Sequence, residues 1–128
     1  MPTVNGTDTS GETLISHATV PSAARQFAII VSASGDGTLK VWDGRNGVER
    51  LTLSGHADWV NGCVVSAEGS MIVSASHDQT LKVWDALTGA CMTTLHVDGA
   101  LEVCACSRDS EVIAAAGVRG IYFLRLLR

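Results

Sequence analysis

A twelve-residue segment that occurs twice constrains the fold of this chain more than any other feature of its sequence. Residues 32–43 read SASGDGTLKVWD and residues 74–85 read SASHDQTLKVWD, so ten of the twelve positions are identical. The tryptophans of the two copies, Trp42 and Trp84, lie 42 residues apart. A period of about 20 to 50 residues indicates a repeat architecture in which each unit buries its apolar faces against its neighbours.

Each copy has the pattern of a β-hairpin. An apolar run, IIVSAS or MIVSAS, leads into a turn with Asp followed by Gly or Gln, and TLKVWD follows, with Leu and Val alternating with Lys. Alternation on both sides of such a turn is typical of two paired strands. In the second copy, apolar segments at residues 60–65 and 91–95 precede and follow the hairpin. We therefore predict four strands per unit.

The second unit resembles one complete WD repeat of the WD40 family. The resemblance rests on the 42-residue period, on the Gly55-His56 pair and on the Trp84-Asp85 pair. It implies that each unit is one four-stranded blade and that blades pack face to face around a central channel. The implied fold is all-β, with about three four-stranded antiparallel WD-repeat β-propeller blades. These form an incomplete ring, because closed propellers typically have about four to eight blades.

The repeat divides the chain into a tail and three predicted blades. Residues 1–11 are the N-terminal tail, residues 12–53 are blade 1, residues 54–95 are blade 2 and residues 96–128 are blade 3. Blade 1 has a degenerate start, because Glu12 to His17 is interpreted as an outer strand and a loop in which Ser-His replaces Gly-His.

Blade 3 is predicted to be degenerate as well. Arg125 aligns with Trp84, Val97 aligns with His56, and the chain stops before an outer strand. We expect a strand near residues 12–15 of a partner chain to complete this blade.

The resemblance also implies a structural tetrad within a blade. In the family, an Asp in the hairpin turn bonds the His of the preceding loop, the His contacts a Ser, and the Ser contacts the Trp indole. The corresponding residues of blade 2 are His56, Ser74, Asp78 and Trp84, with Ser76 as an alternative to Ser74. Their predicted counterparts in blade 1 are His17, Ser32, Asp36 and Trp42.

Two sets of side chains imitate chemical sites. Ser74, His56 and Asp78 are the residue types of a hydrolase triad, but the sequence has no nucleophile-elbow motif, so we expect no enzymatic activity. Cys104-x-Cys106 offers thiolates that zinc would bind, yet these cysteines align with apolar strand positions and no paired CxxC motif occurs. We expect neither a metal nor a cofactor.

The loops and turns at one end of the blades form a candidate protein-binding rim. An aromatic ring in such a loop is a common anchor for a partner. The alternatives are that the aromatic ring packs between blades and that the other side chains serve the geometry of their turns. The candidate residues are Asp36, Trp59, Asn61, His77 and Gln79.

Charge and cysteine usage bear on the partners and the compartment. The formal net charge is −4 and no basic cluster occurs, so nucleic acid is an unexpected partner. Residues 1–10 are polar, and no run of eighteen apolar residues that would span a membrane occurs. Nothing indicates secretion, and the four cysteines therefore favour a reducing, cytoplasmic location.

We accordingly predict a non-catalytic WD-repeat scaffold that binds a protein or peptide. Three blades cannot close a ring, so we expect a homo-oligomer or further blades from a longer chain. An alternative comes from residues 96–127, which resemble the last blade of bacterial WD-repeat signalling proteins. On that interpretation, the chain is a fragment or regulatory sensor subunit of a larger bacterial signalling ATPase or caspase-like protease.

Overall fold

β-Strands are the regular elements of the part of the chain that the computed structural model describes, namely the backbone of residues 12–18 together with residues 29–109 and 111–126. These ranges contain no helix long and apolar enough to span a membrane. The strands are β1 (Glu12–Ala18), β2 (Ile29–Ser34), β3 (Leu39–Asp43), β4 (Glu49–Leu53), β5 (Val60–Val65), β6 (Met71–Ser76), β7 (Thr80–Asp85), β8 (Cys91–His96), β9 (Leu101–Cys106), β10 (Val112–Gly117) and β11 (Gly120–Arg125).

The strands form three antiparallel sheets that follow the chain order. Their strand orders are β1-β2-β3-β4, β5-β6-β7-β8 and β11-β10-β9, and we call them blade 1, blade 2 and blade 3. The described strands do not close a ring, so the predicted fold class, an incomplete set of antiparallel propeller blades, is confirmed. Blade 3 has three strands within the described residues, because no strand pairs with the free side of β11 there.

The hairpin turns of blades 1 and 2 explain why an Asp recurs in them. Asp36 Oδ1 accepts hydrogen bonds from the backbone N and the hydroxyl of Thr38, at 2.9 and 2.7 Å. Asp78 Oδ1 accepts the same two bonds, at 2.9 and 2.6 Å, from the threonine two residues further on. The residue between has a positive φ, +89° at Gly37 and +72° at Gln79. The carboxylate thus fixes each turn through local bonds that Asp forms readily.

Alternating side chains of the strands form two apolar layers between neighbouring blades. The layer between blades 1 and 2 contains Ile29, Val31, Ala33, Leu39, Val41, Leu53, Val60, Cys63, Val65, Ile72, Trp84 and Ala86. The layer between blades 2 and 3 contains Met71, Val73, Ala75, Leu81, Val83, Leu101, Ile113 and Ala115. Blade 2 contributes to both layers because successive residues of a strand point to opposite faces. Its strand β6 is therefore buried along its whole length.

The interpretation of residues 12–17 as an outer strand and loop is wrong. β1 is the first strand of blade 1, and it pairs with β2 of its own chain so that His17 lies opposite Ile30. In blade 2 the residue in that register is Val65, opposite Ile72, whereas His56 precedes β5. His17 is therefore not the positional counterpart of His56. The expected donation of this strand to another chain stays a prediction; within its own chain β1 pairs with β2.

Candidate functional site

A continuous chain of hydrogen bonds joins the four predicted tetrad residues of blade 2. Trp84 Nε1 donates to Ser74 Oγ at 2.9 Å, and the Ser74 hydroxyl lies 2.6 Å from His56 Nε2. The other ring nitrogen, His56 Nδ1, lies 2.9 Å from Asp78 Oδ2, which also accepts from the backbone N of Ala57 at 2.9 Å. The tetrad therefore ties the loop before β5 to strands β6 and β7.

Burial decides the protonation of His56, and hydrogen bonds decide that of Asp78. Burial lowers the pKa of His56 against the opposing effect of the Asp78 carboxylate. Burial also opposes ionisation of Asp78, but hydrogen bonds from Thr80, the Ala57 backbone and His56 outweigh it and lower the pKa of Asp78 to about 2. At neutral pH the imidazole is thus neutral beside a carboxylate. It donates from Nδ1 to Asp78 and accepts at Nε2 from Ser74, which assigns a role to every ring nitrogen.

The order Asp78–His56–Ser74 reproduces the contacts of a catalytic triad, but the serine is enclosed. Ser74 is 0% exposed, and its Oγ already accepts the indole N–H of Trp84. A nucleophile must meet a substrate carbonyl beside oxyanion-stabilising donors. In this arrangement no substrate atom reaches Ser74 Oγ.

Ser76, the predicted alternative to Ser74, has a different set of partners. Its hydroxyl donates to the backbone O of Trp59 at 2.8 Å and accepts from the backbone N of Asp78 at 3.0 Å. It therefore links the hairpin turn to the loop that carries Trp59. Both serines of the repeated SAS segment are thus fully buried hydrogen-bonding residues.

Blade 1 repeats part of the tetrad. Trp42 Nε1 donates to Ser32 Oγ at 2.9 Å, as in blade 2. Asp36 is exposed, and a hydrogen bond from the Thr38 side chain is the main cause that lowers its pKa. The side chain of His17, the predicted counterpart of His56, lies outside the described residues.

Blade 3 replaces three of the four tetrad residues with apolar side chains. The β10–β11 turn is one residue shorter than the β6–β7 turn, so Leu124, opposite Ile113, occupies the position of Trp84, opposite Ile72. The sequence alignment, which put Arg125 there, was wrong for that reason. Val97 and Ala115 occupy the positions of His56 and Ser74, and all three replacements pack in the second apolar layer.

Another hydrogen bond holds the loop before β9. The Tyr122 hydroxyl, on β11, donates to the Asp98 carboxylate. This bond lowers the pKa of Asp98 and raises the pKa of Tyr122.

Because no polar group of the tetrad remains in blade 3, removal of the whole set avoids leaving a buried donor or acceptor without a partner.

The predicted rim residues separate into two groups. Trp59, Asn61 and His77 line one depression of about 540 Å³, together with Ala100, Glu102 and Val118 of blade 3. Asp36 and Gln79 lie in the neighbouring turns and do not line it. Trp59 is 62% exposed, whereas Asn61 is half-buried and donates from Nδ2 to the backbone O of Leu101 at 3.0 Å.

The blade 3 residues of this depression were missed from the sequence. The 41-residue spacing that relates blades 2 and 3 places Ala100, Glu102 and Val118 at the positions of Trp59, Asn61 and His77. That spacing was the available signal. The residue types differ at all three positions, so motif reasoning did not select them.

Cys104, one of the two cysteines that imitated a zinc site, lies in the layer between blades 2 and 3, and its equivalent in blade 2, Cys63, lies in the layer between blades 1 and 2. Cys63 Sγ contacts the backbone O of Val31 at 3.9 Å, and Cys104 Sγ contacts the backbone O of Val73 at 3.5 Å. Burial raises the pKa of Cys104 to about 12, so its thiol stays protonated. Within the described residues no group of three or more His, Cys, Asp or Glu side chains is arranged to hold a metal ion.

Comparison with known proteins identifies the class of protein that these blades form. The family model for the WD domain, G-beta repeat (WD40), matches residues 9–43 and 47–85, which together exceed half of the chain. This chain therefore belongs to the WD40 family, whose repeats serve as scaffolds for protein interaction. The first match begins before β1 and thus includes it in the same repeat as β2 and β3, in agreement with the strand register.

One repeat of this chain is similar to a curated protein. The nuclear distribution protein PAC1-2 of Postia placenta is 45% identical to this chain over 42 residues, which make up 33% of this chain. The chain spans 10% of the length of that relative. The similarity therefore extends over one repeat.

Proposed function

We propose that this chain is a non-catalytic WD-repeat scaffold whose rim binds a protein or peptide. The observation that carries the proposal is the depression between blades 2 and 3, where the exposed ring of Trp59 lies beside polar and apolar side chains of both blades. Large aromatic rings in concave surfaces contribute strongly to binding. We further propose that the protein is cytoplasmic, needs no cofactor and binds neither nucleic acid nor membranes. The net charge of −4 supports the absence of nucleic acid as a partner.

The buried tetrad supports a structural rather than a chemical role for its residues. It fixes the loop that carries Trp59, because His56 and Ala57 of that loop both bond Asp78. Ser76 holds the same loop through the backbone O of Trp59. A binding surface gains affinity when its loops are ordered before the partner arrives.

The outer face of blade 3 supports a second part of the proposal, that another WD blade covers it. The strand register gives this face the equivalents of the blade 2 residues that pack on blade 3. Ile121 and Phe123, the equivalents of Leu81 and Val83, are 67% and 74% exposed. Exposed apolar faces of this kind mark association surfaces. The blade 2 residues are Met71, Val73, Ala75, Leu81 and Val83. Their equivalents in blade 3, in the same order, are Val112, Ala114, Ala116, Ile121 and Phe123.

Solution mass tests the blade-covering proposal. Light scattering of the purified chain is expected to give a homo-oligomer, and Phe123→Glu is expected to shift it toward the monomer by placing a charge in the interface. A well-folded monomer that melts cooperatively would contradict self-assembly. A longer natural chain that encodes further blades would identify those blades as the covering partner.

Panning of a random peptide library tests the rim. Peptides that bind the immobilised protein are expected to lose about 30-fold in affinity for Trp59→Ala, because truncation of a central aromatic residue costs about 2 kcal/mol. Leu87→Ala is the matched control, since Leu87 is 69% exposed in a turn at the opposite end of blade 2. Equal losses in the two variants, or no binder at all, would refute rim binding.

The alternative of a bacterial signalling ATPase or caspase-like protease subunit stays a prediction. The family match and the similarity to the Postia placenta protein both lie within WD repeats and do not include an ATPase or a protease. Sequencing of the neighbouring genes tests it: an adjacent reading frame with a phosphate-loop ATPase and further repeats would support a regulatory subunit. An isolated gene would favour the scaffold.

A further inference from the structure

The depression between blades 2 and 3 exists because its residues differ from those at the equivalent place between blades 1 and 2. Between blades 1 and 2, the indole of Trp59 lies over Gly35, and a Cβ built on that glycine would be 3.6 Å from Trp59 Nε1. Between blades 2 and 3, His77 takes the position of Gly35 and Ala100 takes the position of Trp59. A methyl group thus replaces an indole, and the space that a ring fills in the first case stays open.

The walls of the depression combine an aromatic ring with a carboxylate. Trp59 forms one wall, and Glu102 on β9 contributes an exposed carboxylate in the position equivalent to Asn61. Among the described residues, no hydrogen bond or ion pair engages the carboxylate of Glu102. Asn61 donates to the backbone O of Leu101 through its amide nitrogen, and its side-chain oxygen is left to accept.

A basic residue next to the depression in sequence, Arg119, packs on Gly99 and does not line the depression. Arg119 follows Val118 in the β10–β11 turn, and its aliphatic part packs against Gly99. Its charge acts on Asp98, which accepts the Tyr122 hydroxyl. The depression therefore has an aromatic face and a carboxylate of its own, on a chain of net charge −4.

We propose that this depression binds an arginine side chain of a partner peptide, with the guanidinium stacked on Trp59 and hydrogen-bonded to Glu102. A planar guanidinium stacks on an indole and bonds a carboxylate in its own plane, whereas an ammonium has no such plane. The side-chain oxygen of Asn61 accepts a further N–H. This inference rests on the proposed function, because it assigns a ligand class to the rim that is proposed to bind peptides.

A pair of peptides tests the ligand class directly. The probes are acetyl-Gly-Ser-Gly-Arg-Gly-Ser-Gly-amide and the same peptide with citrulline, which keeps the shape of arginine without its charge. Binding is followed by the NMR shift of the Trp59 indole N–H, assigned with Trp59→Phe. The arginine peptide is expected to give a saturating shift and to bind at least about fivefold more tightly than the citrulline peptide.

Variants assign that preference to the carboxylate and the ring. Glu102→Gln is expected to weaken the arginine peptide about two- to fivefold and to leave the citrulline peptide unchanged. Glu111→Gln, an exposed carboxylate at the opposite end of blade 3, is expected to change neither. Trp59→Leu lacks the reporter indole, so its binding is followed by isothermal titration calorimetry; it is expected to reduce the preference for arginine to the part that Glu102 provides, with circular dichroism as the check on folding.

The outcomes separate this inference from the proposed function. Equal affinities of the two peptides, or an unchanged arginine affinity in Glu102→Gln, overturn the arginine site. If neither peptide shifts Trp59 while peptides from the library still bind the rim, the arginine site is overturned and the scaffold proposal stands. If no library peptide binds, the proposed function itself fails.

Discussion

Replacement of Ser74 by Ala probes the hydrogen-bonded chain at its centre. The Ser74 hydroxyl is fully buried, accepts the Trp84 indole N–H at 2.9 Å and lies 2.6 Å from His56 Nε2. Its removal leaves one buried donor and one buried acceptor without a partner. Each such group costs about 1–3 kcal/mol, and because the two losses are coupled we expect about 2–4 kcal/mol in total.

Thermal and urea unfolding measure this cost. For a chain of this length a loss of 1 kcal/mol lowers the Tm by about 4 °C, so Ser74→Ala is expected to lower it by about 8–16 °C. Protein concentration is held constant, since association with other blades would shift the Tm by mass action. Ser70→Ala is the matched control, because Ser70 is exposed and bonds Glu68 at the surface.

The control fixes what would refute the reasoning. An exposed serine-to-alanine change is expected to alter the free energy of unfolding by less than about 0.5 kcal/mol. If Ser74→Ala and Ser70→Ala differ by no more than that, the buried chain of hydrogen bonds does not stabilise blade 2, and the structural role proposed for the tetrad is wrong.

Two further predictions concern protonation and close approach between blades. Acidification below about pH 6.5 is expected to lower the free energy of unfolding. The depressed pKa of His56 lets the unfolded chain bind a proton that the folded chain rejects, and Asp78, with a pKa of about 2, adds a second loss below about pH 4. Gly37→Ala is expected to destabilise more than Gly47→Ala by at least about 1 kcal/mol. Both glycines have positive φ, but a Cβ on Gly37 would lie 2.8 Å from the backbone O of His56, whereas one on Gly47 would have nothing within 4 Å.

Each of these predictions has a direct check. Chemical unfolding at a series of pH values measures the first, and His56→Gln is expected to flatten the slope between pH 7 and pH 5; an unchanged slope would contradict the assignment to His56. Urea midpoints of the two alanine variants measure the second. Equal midpoints would mean that the approach of the first turn to the loop before β5 is not tight.

The fold class followed from the sequence because the repeated hairpin has its register encoded locally. The serines, the aspartate and the tryptophan of each copy occur at the same spacing, and a two-residue alternation decides which face each side chain joins. Stacking of the faces then follows from burial of apolar surface. These relations need no information beyond neighbouring residues.

The sequence-based predictions that were wrong or incomplete depend on relations between distant segments. Ser16-His17 imitates Gly55-His56 in letters, but its position depends on pairing with β2 across residues 19–28, which the sequence pattern does not specify. Arg125 was misplaced by a turn that is one residue shorter, a change that fixed spacing cannot detect. The rim depression requires two blades to stack in register; the 41-residue spacing marks its blade 3 residues as equivalents of the blade 2 residues, but their contribution to one depression follows only from the stacking.

The stacking of three blades through apolar layers is most directly tested by hydrogen exchange of the backbone amides. Strand β6 is buried along its whole length between blades 1 and 3, whereas the edge strand β8 is exposed at most of its residues. Backbone amides of a strand that has a paired strand on each side and a blade packed on each face exchange only when a large part of the structure unfolds. The stack predicts the slowest exchange in β6 and fast exchange in β8. Equal protection of the two strands would contradict it.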